Sequence, residues 1–132
     1  MVKVLFDHNM PPVIARALHH LVSIDGHESW ALRDKFETNI IDVELFSRLG
    51  KEKNWIVISK DRQQAKVKPE RAAILSSGVL VFYLSKSVAK QRVNEQAATI
   101  LWQWDKMVVQ RKNNRNGLYV LPVNKGTQFS AL

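Results

Sequence analysis

Short, continuous apolar segments alternate with amphipathic segments along this chain of 132 residues, and this alternation constrains the fold most strongly. Residues 2–6 and Trp55–Ser59 are rich in β-branched and aromatic side chains and show no polar alternation, which is typical of strands buried on both faces. Strands of this kind that alternate with helices predict a mainly parallel central sheet with helices on both faces. The predicted fold class is therefore α/β.

The remaining elements follow from the same pattern and from the turn residues between segments. We predict further strands at residues 29–32, 79–84 and 118–123. We predict helices that begin near Pro12 and that span about 39–53, 69–75 and 87–110. The chain 1–132 is expected to be one domain, with a C-terminal helix and last strand at about 87–123 and a tail at 124–132.

The composition excludes several classes of protein. The chain has no cysteine, which excludes disulfides, iron–sulfur clusters and thiolate zinc sites and is expected of a cytoplasmic protein. Its apolar runs are too short to span a membrane, and the first of them lacks the pattern of a signal peptide. The four histidines lack metal-ligand spacing and no glycine-rich phosphate loop is present, which argues against zinc and against P-loop nucleotide hydrolysis.

The charge balance indicates an anionic partner. Twenty Lys and Arg residues against twelve Asp and Glu residues give a net charge of +8 and a pI near 10.0, which is typical of nucleic-acid binding. A merely soluble surface or a docking face for an acidic protein is the alternative. Five cations within twelve positions are candidate contacts for a phosphate backbone, or else form a solvated helix face: Lys60, Arg62, Lys66, Lys68 and Arg71.

Three acidic residues fall where a predicted strand ends or a predicted helix begins. Asp7 ends the first strand, Asp61 lies just past Trp55–Ser59, and Asp42 lies in the first turn of the helix before that strand. Functional groups of parallel sheets collect at the carboxyl ends of the strands. We therefore expect these three carboxylates to lie at one edge of the sheet.

The helical phase favours Asp42 over Glu44 as the functional acid. Ile41, Leu45 and Leu49 form one apolar stripe of the predicted helix, and Asp42 lies beside that stripe. Glu44 is about 200° away from Asp42 and is expected to face water.

Carboxylates that converge repel one another unless a cation neutralises them. Mg²⁺ and Mn²⁺ prefer carboxylate oxygens, and either ion can activate water for attack on a phosphodiester. Asn9 is placed to position such a water or a phosphate oxygen. Structural alternatives stand beside these roles: Asn9 as a helix N-cap, Asp42 in a capping box with Asn39, and Asp61 in a surface ion pair.

Three segments resemble the motifs of short PIN-like domains. Residues 2–12 (VKVLFDHNMPP) resemble their opening, in which a strand ends in Asp-x-Asn followed by proline. Residues 42–45 (DVEL) resemble their second acidic motif, and residues 55–61 (WIVISKD) resemble their third, a hydrophobic strand followed by Ser/Thr-x-Asp. The order and spacing agree over roughly residues 1–85.

The resemblance implies a three-layer PIN-like fold and a Mg²⁺- or Mn²⁺-dependent ribonuclease, as in VapC-type toxins of toxin–antitoxin pairs. It implies that Asp7, Asp42 and Asp61 bind metal, that Asn9 supports them, and that the partners are an RNA substrate and a small antitoxin protein. The chain departs from the family at His8, where a second acid is frequent, and at Gln63 or Gln64, where a further Asp often follows.

Two other functions compete with the ribonuclease. A phosphoacceptor receiver domain is also α/β, but it needs an acidic pair where this chain has Asp7 and His8. A PIN-like RNA-binding or interaction module without catalysis would suit the small set of acids and the high positive charge. Trp102 falls on the outer face of the last predicted helix, where it either contacts another subunit or an inhibitory partner or is covered by residues 118–132.

Overall fold

Six strands form one sheet in the computed structural model, which describes residues 1–132 without the side chain of Gln64. The strands are β1 (Lys3–Phe6), β2 (Glu28–Ala31), β3 (Trp55–Ser59), β4 (Leu80–Leu84), β5 (Gly117–Leu121) and β6 (Ser130–Ala131). Their order is β2-β1-β3-β4-β5-β6, in which β1 to β5 are parallel and β6 is antiparallel to β5. The predicted α/β fold with a mainly parallel sheet is confirmed.

Helices connect the strands and cover both faces of the sheet. They are α1 (Pro12–Val22), α2 (Leu32–Lys35), α3 (Asp42–Glu52), α4 (Gln63–Lys66), α5 (Lys68–Ser77), α6 (Lys86–Ala89), α7 (Val93–Trp102) and α8 (Trp104–Asn113). A single 3₁₀ turn, Ser23–Asp25, follows α1. In the described part of the chain no helix combines the length and the apolar character that crossing a membrane requires.

Two hydrophobic cores lie on opposite faces of the sheet. Phe6, Ile58 and Phe82 belong to the core that α1, α7 and α8 cover. Alternate residues of the same strands, such as Val57 and Val81, belong to the core that α3 and α5 cover. Every residue of β3 and β4 is buried, as the continuous apolar pattern of these two strands predicts.

The predicted single helix at 87–110 is wrong, because the chain breaks there into α6, α7 and α8. The break between α7 and α8 lies at Gln103, whose side chain is buried, whose backbone lies at φ −98° and ψ 5°, and whose amide donates to the carbonyl oxygen of Pro122. The apolar stripe expected along one continuous helix is not kept: Val93 and Leu101 are exposed, whereas Ile100 and Met107 are buried.

The predicted tail at 124–132 ends in an ordered strand. Residues Ser130–Ala131 form β6 against β5, and the Leu132 N–H donates to the carbonyl oxygen of Leu118. Phe129 packs edge-on against Phe82, with 4.8 Å between the ring centroids. The segment does not bury Trp102, which is 63% exposed with only the Lys125 ammonium over its ring. Of the two expectations for Trp102, burial is wrong.

Candidate active site

The strands β1, β3 and β4 end side by side at one edge of the sheet, which we call the carboxyl edge. The parallel register pairs Ser59 with Tyr83 and brings Asp7, the residue after β1, beside Ser59. Successive side chains of a strand alternate between the two faces. Tyr83 lies in the core under α3 and α5, and Asp7 and Ser59 share its phase. The fold therefore aligns three polar residues of three adjacent strands on one face.

The Ser59 hydroxyl connects the ends of β1 and β3. Its Oγ donates to Asp7 Oδ2 at 3.2 Å and accepts from the Asp61 backbone N–H at 3.0 Å. The Asn9 amide nitrogen also donates to Ser59 Oγ, at 3.2 Å, and Asn9 Oδ1 accepts from the Lys60 backbone N–H at 3.0 Å. Asn9 is therefore not the N-cap of α1, a position that Pro11 occupies. Sequence analysis missed Ser59 as a site residue, although it stands in the third motif.

The carboxylate of Asp7 is buried and fixed. Asp7 is only 4% exposed. Its Oδ1 accepts a hydrogen bond from the His8 backbone N–H at 2.8 Å. Asp61 is exposed, and its Oδ1 accepts from the Gln63 backbone N–H at 2.9 Å at the start of α4. Among the described residues Asp61 forms no ion pair, so the alternative of a surface pair with Lys60 or Arg62 is not what the structure shows.

Asp42 is the first residue of α3, where a negative charge faces the positive end of the helix dipole. It is half-buried whereas Glu44 is exposed, as the helical phase predicts. The predicted capping box is absent from the described structure, because the helix begins at Asp42 and its N-cap is Ile41 rather than Asn39. Ile41 was expected in the apolar stripe, but at this N-cap position it is exposed.

The buried hydroxyl of Tyr83 lies within the electrostatic reach of all three acids. Burial raises the pKa of Tyr83 well above its ordinary value, and the negative charges of Asp7, Asp42 and Asp61 raise it further, while Arg71 acts in the opposite direction. Tyr83 is fully buried. The structure therefore places Asp7 and Asp61 just past two adjacent strand ends that Ser59 joins, and Asp42 at the start of α3. Sequence analysis missed Tyr83, because only the register of β4 with β3 shows that it lies beside Ser59.

The three acids do not form a closed chelate. Among the described residues, no three His, Cys, Asp or Glu side chains are grouped closely enough to hold a metal ion. The donors themselves are carboxylate oxygens, which suit Mg²⁺ and Mn²⁺. The residue types therefore fit a hard divalent cation, and their spacing does not by itself define its position.

A small cavity of about 100 Å³ opens beside Asp7. His8, Arg33 and Thr38 contribute polar groups to its lining, beside apolar residues such as Phe6 and Leu32. Arg33 follows β2, whose carboxyl end lies at the same edge. Sequence analysis missed Arg33, although its position just past a predicted strand was an available signal.

The five predicted phosphate-binding cations fall into two groups. Lys66 and Lys68 are exposed, and Lys60 is half-buried. The two arginines already bond to the main chain: Arg62 donates to the carbonyl oxygen of Leu84 at 3.3 Å, and Arg71 donates to those of Ala65 at 3.1 Å and Leu132 at 2.7 Å. The lysines are therefore the cations that a phosphate backbone can approach without breaking these bonds.

Comparison with known families agrees with this architecture. A family model described as "PIN like domain" matches residues 2–86, about two thirds of the chain, and the chain belongs to this family. PIN-like domains are generally nucleases. Comparison with curated proteins and with solved structures gave no match. The resemblance seen in the three sequence motifs is confirmed over nearly the same residues.

Proposed function

We propose that this protein is a Mg²⁺- or Mn²⁺-dependent endoribonuclease whose site is the carboxyl edge. The observation that carries the proposal is that the Ser59 hydroxyl links the Asp7 carboxylate to the Asp61 backbone at the carboxyl edge of a PIN-like domain, with the Asn9 amide on the same Ser59 oxygen. Carboxylates that share a site repel one another, and a divalent cation would remove such repulsion. Exposed Lys66 and Lys68 lie on the elements that follow Asp61 and supply charge for a phosphate backbone.

Asp7, Asp42 and Asp61 are the residues that would hold the cation. When bound, such an ion supplies an activated water and stabilises the negative charge that develops on the phosphodiester. Ser59 and the His8 backbone fix the orientation of the Asp7 carboxylate through their hydrogen bonds. Asn9 is held by Ser59 and by the Lys60 backbone, and in this proposal it positions a water or a phosphate oxygen. Mg²⁺ characteristically keeps several waters, so carboxylates that do not converge closely can still bind it through those waters.

The test is cleavage of mixed single-stranded RNA by the purified protein with Mn²⁺, Mg²⁺ or EDTA. We expect cleavage that requires the metal and that falls by about 100-fold in Asp7→Asn, since loss of the groups that merely orient metal ligands already costs about 10–100-fold. Asp105→Asn is the matched control, because Asp105 is an exposed acid at the start of α8. Cleavage that survives Asp7→Asn or EDTA would overturn the proposal.

A second function, an RNA-binding module without catalysis, is favoured by the absence of a three-residue metal cluster among the described residues. The two functions differ in their response to metal. An inert module would bind RNA equally in Mn²⁺ and EDTA, and calorimetry would detect no Mn²⁺ binding that depends on Asp7 and Asp61.

Within the ribonuclease proposal, the regulator is a small antitoxin protein, as the family resemblance implies. Trp102 is the side chain that we propose for this contact or for a homodimer, since exposed tryptophans are enriched at binding hot spots. Sedimentation of the protein alone tests the dimer, which Trp102→Ser should dissociate. A monomeric wild type would remove the homodimer and leave the antitoxin contact to be tested with a candidate partner.

A further inference from the structure

A second charged region lies at the opposite edge of the sheet, where the strands begin. A cleft of about 470 Å³ is found there, and we call it the amino-edge cleft. Its lining includes Met1, Asn54, Arg111, Lys112, Asn114 and Arg115. Three of these residues are cations, and no acidic side chain is among the described residues that line the cleft.

Arg111 is the fixed charge of the amino-edge cleft. Its guanidinium donates to the carbonyl oxygens of Trp55 and Gly78, at 2.9 Å each, and to those of Asn114 and Arg115 at the end of α8. These bonds join the start of β3 to Gly78, two residues before β4. In the described part of the chain no carboxylate pairs with Arg111, and burial lowers its pKa below the ordinary value. An anion that enters the cleft would supply the missing countercharge.

The surroundings of the cleft strengthen the positive field. From residue 106 to residue 132 the sequence contains five Lys and Arg residues and no Asp or Glu. Glu52, the acid at the end of α3, is already engaged by the Lys3 ammonium at 3.7 Å and by the Trp55 indole at 3.2 Å. The cleft therefore has amide and cationic donors and little local negative charge, which is the composition of a phosphate site.

The backbone beside the cleft is also held in an unusual conformation. Lys53 and Asn54 both have positive φ, 67° and 64°, and such conformations in residues other than glycine are uncommon and concentrate at functional sites. Asn54 lines the cleft, and its carbonyl oxygen accepts from the Lys3 backbone N–H at 3.0 Å. The strained turn thus presents an asparagine to the same space as Lys112 and Arg115.

We propose that the amino-edge cleft binds phosphate groups of the RNA strand at a distance from the cleavage site. This inference rests on the proposed function, because it takes RNA as the ligand. The five residues of β3 separate the two edges by about 15 Å at 3.3 Å per residue. Only an RNA longer than the carboxyl edge can contact both, so the cleft selects for long or folded RNA.

The test measures binding in EDTA, where no metal-dependent cleavage occurs, with a labelled RNA of roughly four nucleotides and with one several times longer. The variant is Lys112→Gln with Arg115→Gln, which keeps Arg111 and its structural bonds. We expect its affinity for the long RNA to fall roughly tenfold at low salt, and the slope of log K against log salt to decrease by about 1.4. Its affinity for the short RNA should fall by a smaller factor, because a short strand contacts one edge at a time and keeps its binding at the carboxyl edge.

Lys90→Gln with Lys125→Gln removes the same charge from exposed positions outside the cleft and is the matched control. Equal weakening by the two double variants would show a general charge effect and would overturn the proposal, as would equal weakening for short and long RNA. If inorganic phosphate or AMP binds the wild type and not the cleft variant, while long RNA binds both equally, the cleft serves a free phosphate compound instead. Long RNA that binds through the cleft without any cleavage in Mn²⁺ would support the cleft and reject the ribonuclease.

Discussion

The two edges of the sheet differ in charge and in the way their polar groups are held. At the carboxyl edge, the Ser59 hydroxyl joins the ends of β1 and β3 beside Asp7 and Asp61, and the charges of three acids raise the pKa of buried Tyr83. At the amino edge, Arg111 bonds to main-chain carbonyls, and further cations surround it. Parallel strands point in one direction, so each edge receives only one kind of strand end. One sheet can therefore separate an acidic site from a basic one.

The polar residues of the two edges also differ in their effect on the stability of the fold. Carboxylates that face one another repel, and binding of a cation relieves this repulsion. Arg111 instead satisfies carbonyl oxygens that would otherwise lack donors at the start of two strands. Substitutions of the acids at the carboxyl edge should therefore act on catalysis, and substitution of Arg111 should act on stability.

Arg111→Gln should give the largest effect on stability, a loss of roughly 3 kcal/mol in the free energy of unfolding. The shorter side chain cannot reach the carbonyl oxygens of Trp55 and Gly78 together with those at the end of α8, and hydrogen bonds to charged groups contribute about 1.5–3 kcal/mol each. Urea unfolding of the variant measures this loss. A stability within about 0.5 kcal/mol of the wild type would mean that Arg111 is free for ligand binding and does not hold the edge together.

Asp42→Asn should reduce metal-dependent cleavage by about 100-fold, whereas Glu44→Gln should change it less than about threefold. Both residues lie in the first turn of α3 and both substitutions remove one negative charge, but only Asp42 is half-buried and acts on Tyr83. Comparison of the cleavage rates of the two variants therefore separates the effect of the residue's position from the effect of losing one charge. Equal losses would contradict the helical-phase argument and would leave Asp42 as a helix-terminal charge only.

The sequence predicts most of the carboxyl edge because its determinants are local. The continuous apolar run predicts β3 with the bounds Trp55–Ser59 that the structure shows. The residues after such a run fall at the carboxyl edge whatever the rest of the chain does. Asp7 and Asp61 could therefore be placed there from local pattern alone, and the family resemblance agrees.

What the sequence does not predict depends on tertiary contacts. At the break between α7 and α8, the Gln103 amide donates to the carbonyl oxygen of Pro122, nineteen residues away. Helical periodicity does not predict a contact of this kind. Tyr83 and Arg111 look like an ordinary strand residue and an ordinary helix cation until the register and the carbonyl partners are known. The amino edge was missed for this reason, since its determinants are bonds between distant segments.

Ser59→Ala should weaken both the fold and the activity at the carboxyl edge. It leaves Asp7 Oδ2 and the Asp61 N–H without the hydroxyl that each uses, which should cost about 1–2 kcal/mol of unfolding free energy and about tenfold or more in Mn²⁺ affinity. Ser59→Thr keeps the hydroxyl and should recover the Mn²⁺ affinity, as measured by calorimetry. If the alanine variant bound Mn²⁺ as tightly as the wild type, Ser59 would have a packing role alone.

Tyr83→Phe should change how stability depends on pH, by the smallest amount among these predictions. The pKa of Tyr83 is raised in the folded state, first by burial and then by the three acids, so above the ordinary tyrosine pKa of about 10 the unfolded chain loses a proton that the folded one keeps. The contribution of Tyr83 to the free energy of unfolding is therefore fully present well below pH 10. It is lost as the pH rises through 10, by about 0.7 kcal/mol between pH 9.5 and 10.5. Tyr83→Phe should remove this part of the fall in urea unfolding, and Tyr119→Phe, the matched control at the other tyrosine, should retain it. A fall that persists unchanged in Tyr83→Phe would mean that the pKa of Tyr83 is not raised in the folded state.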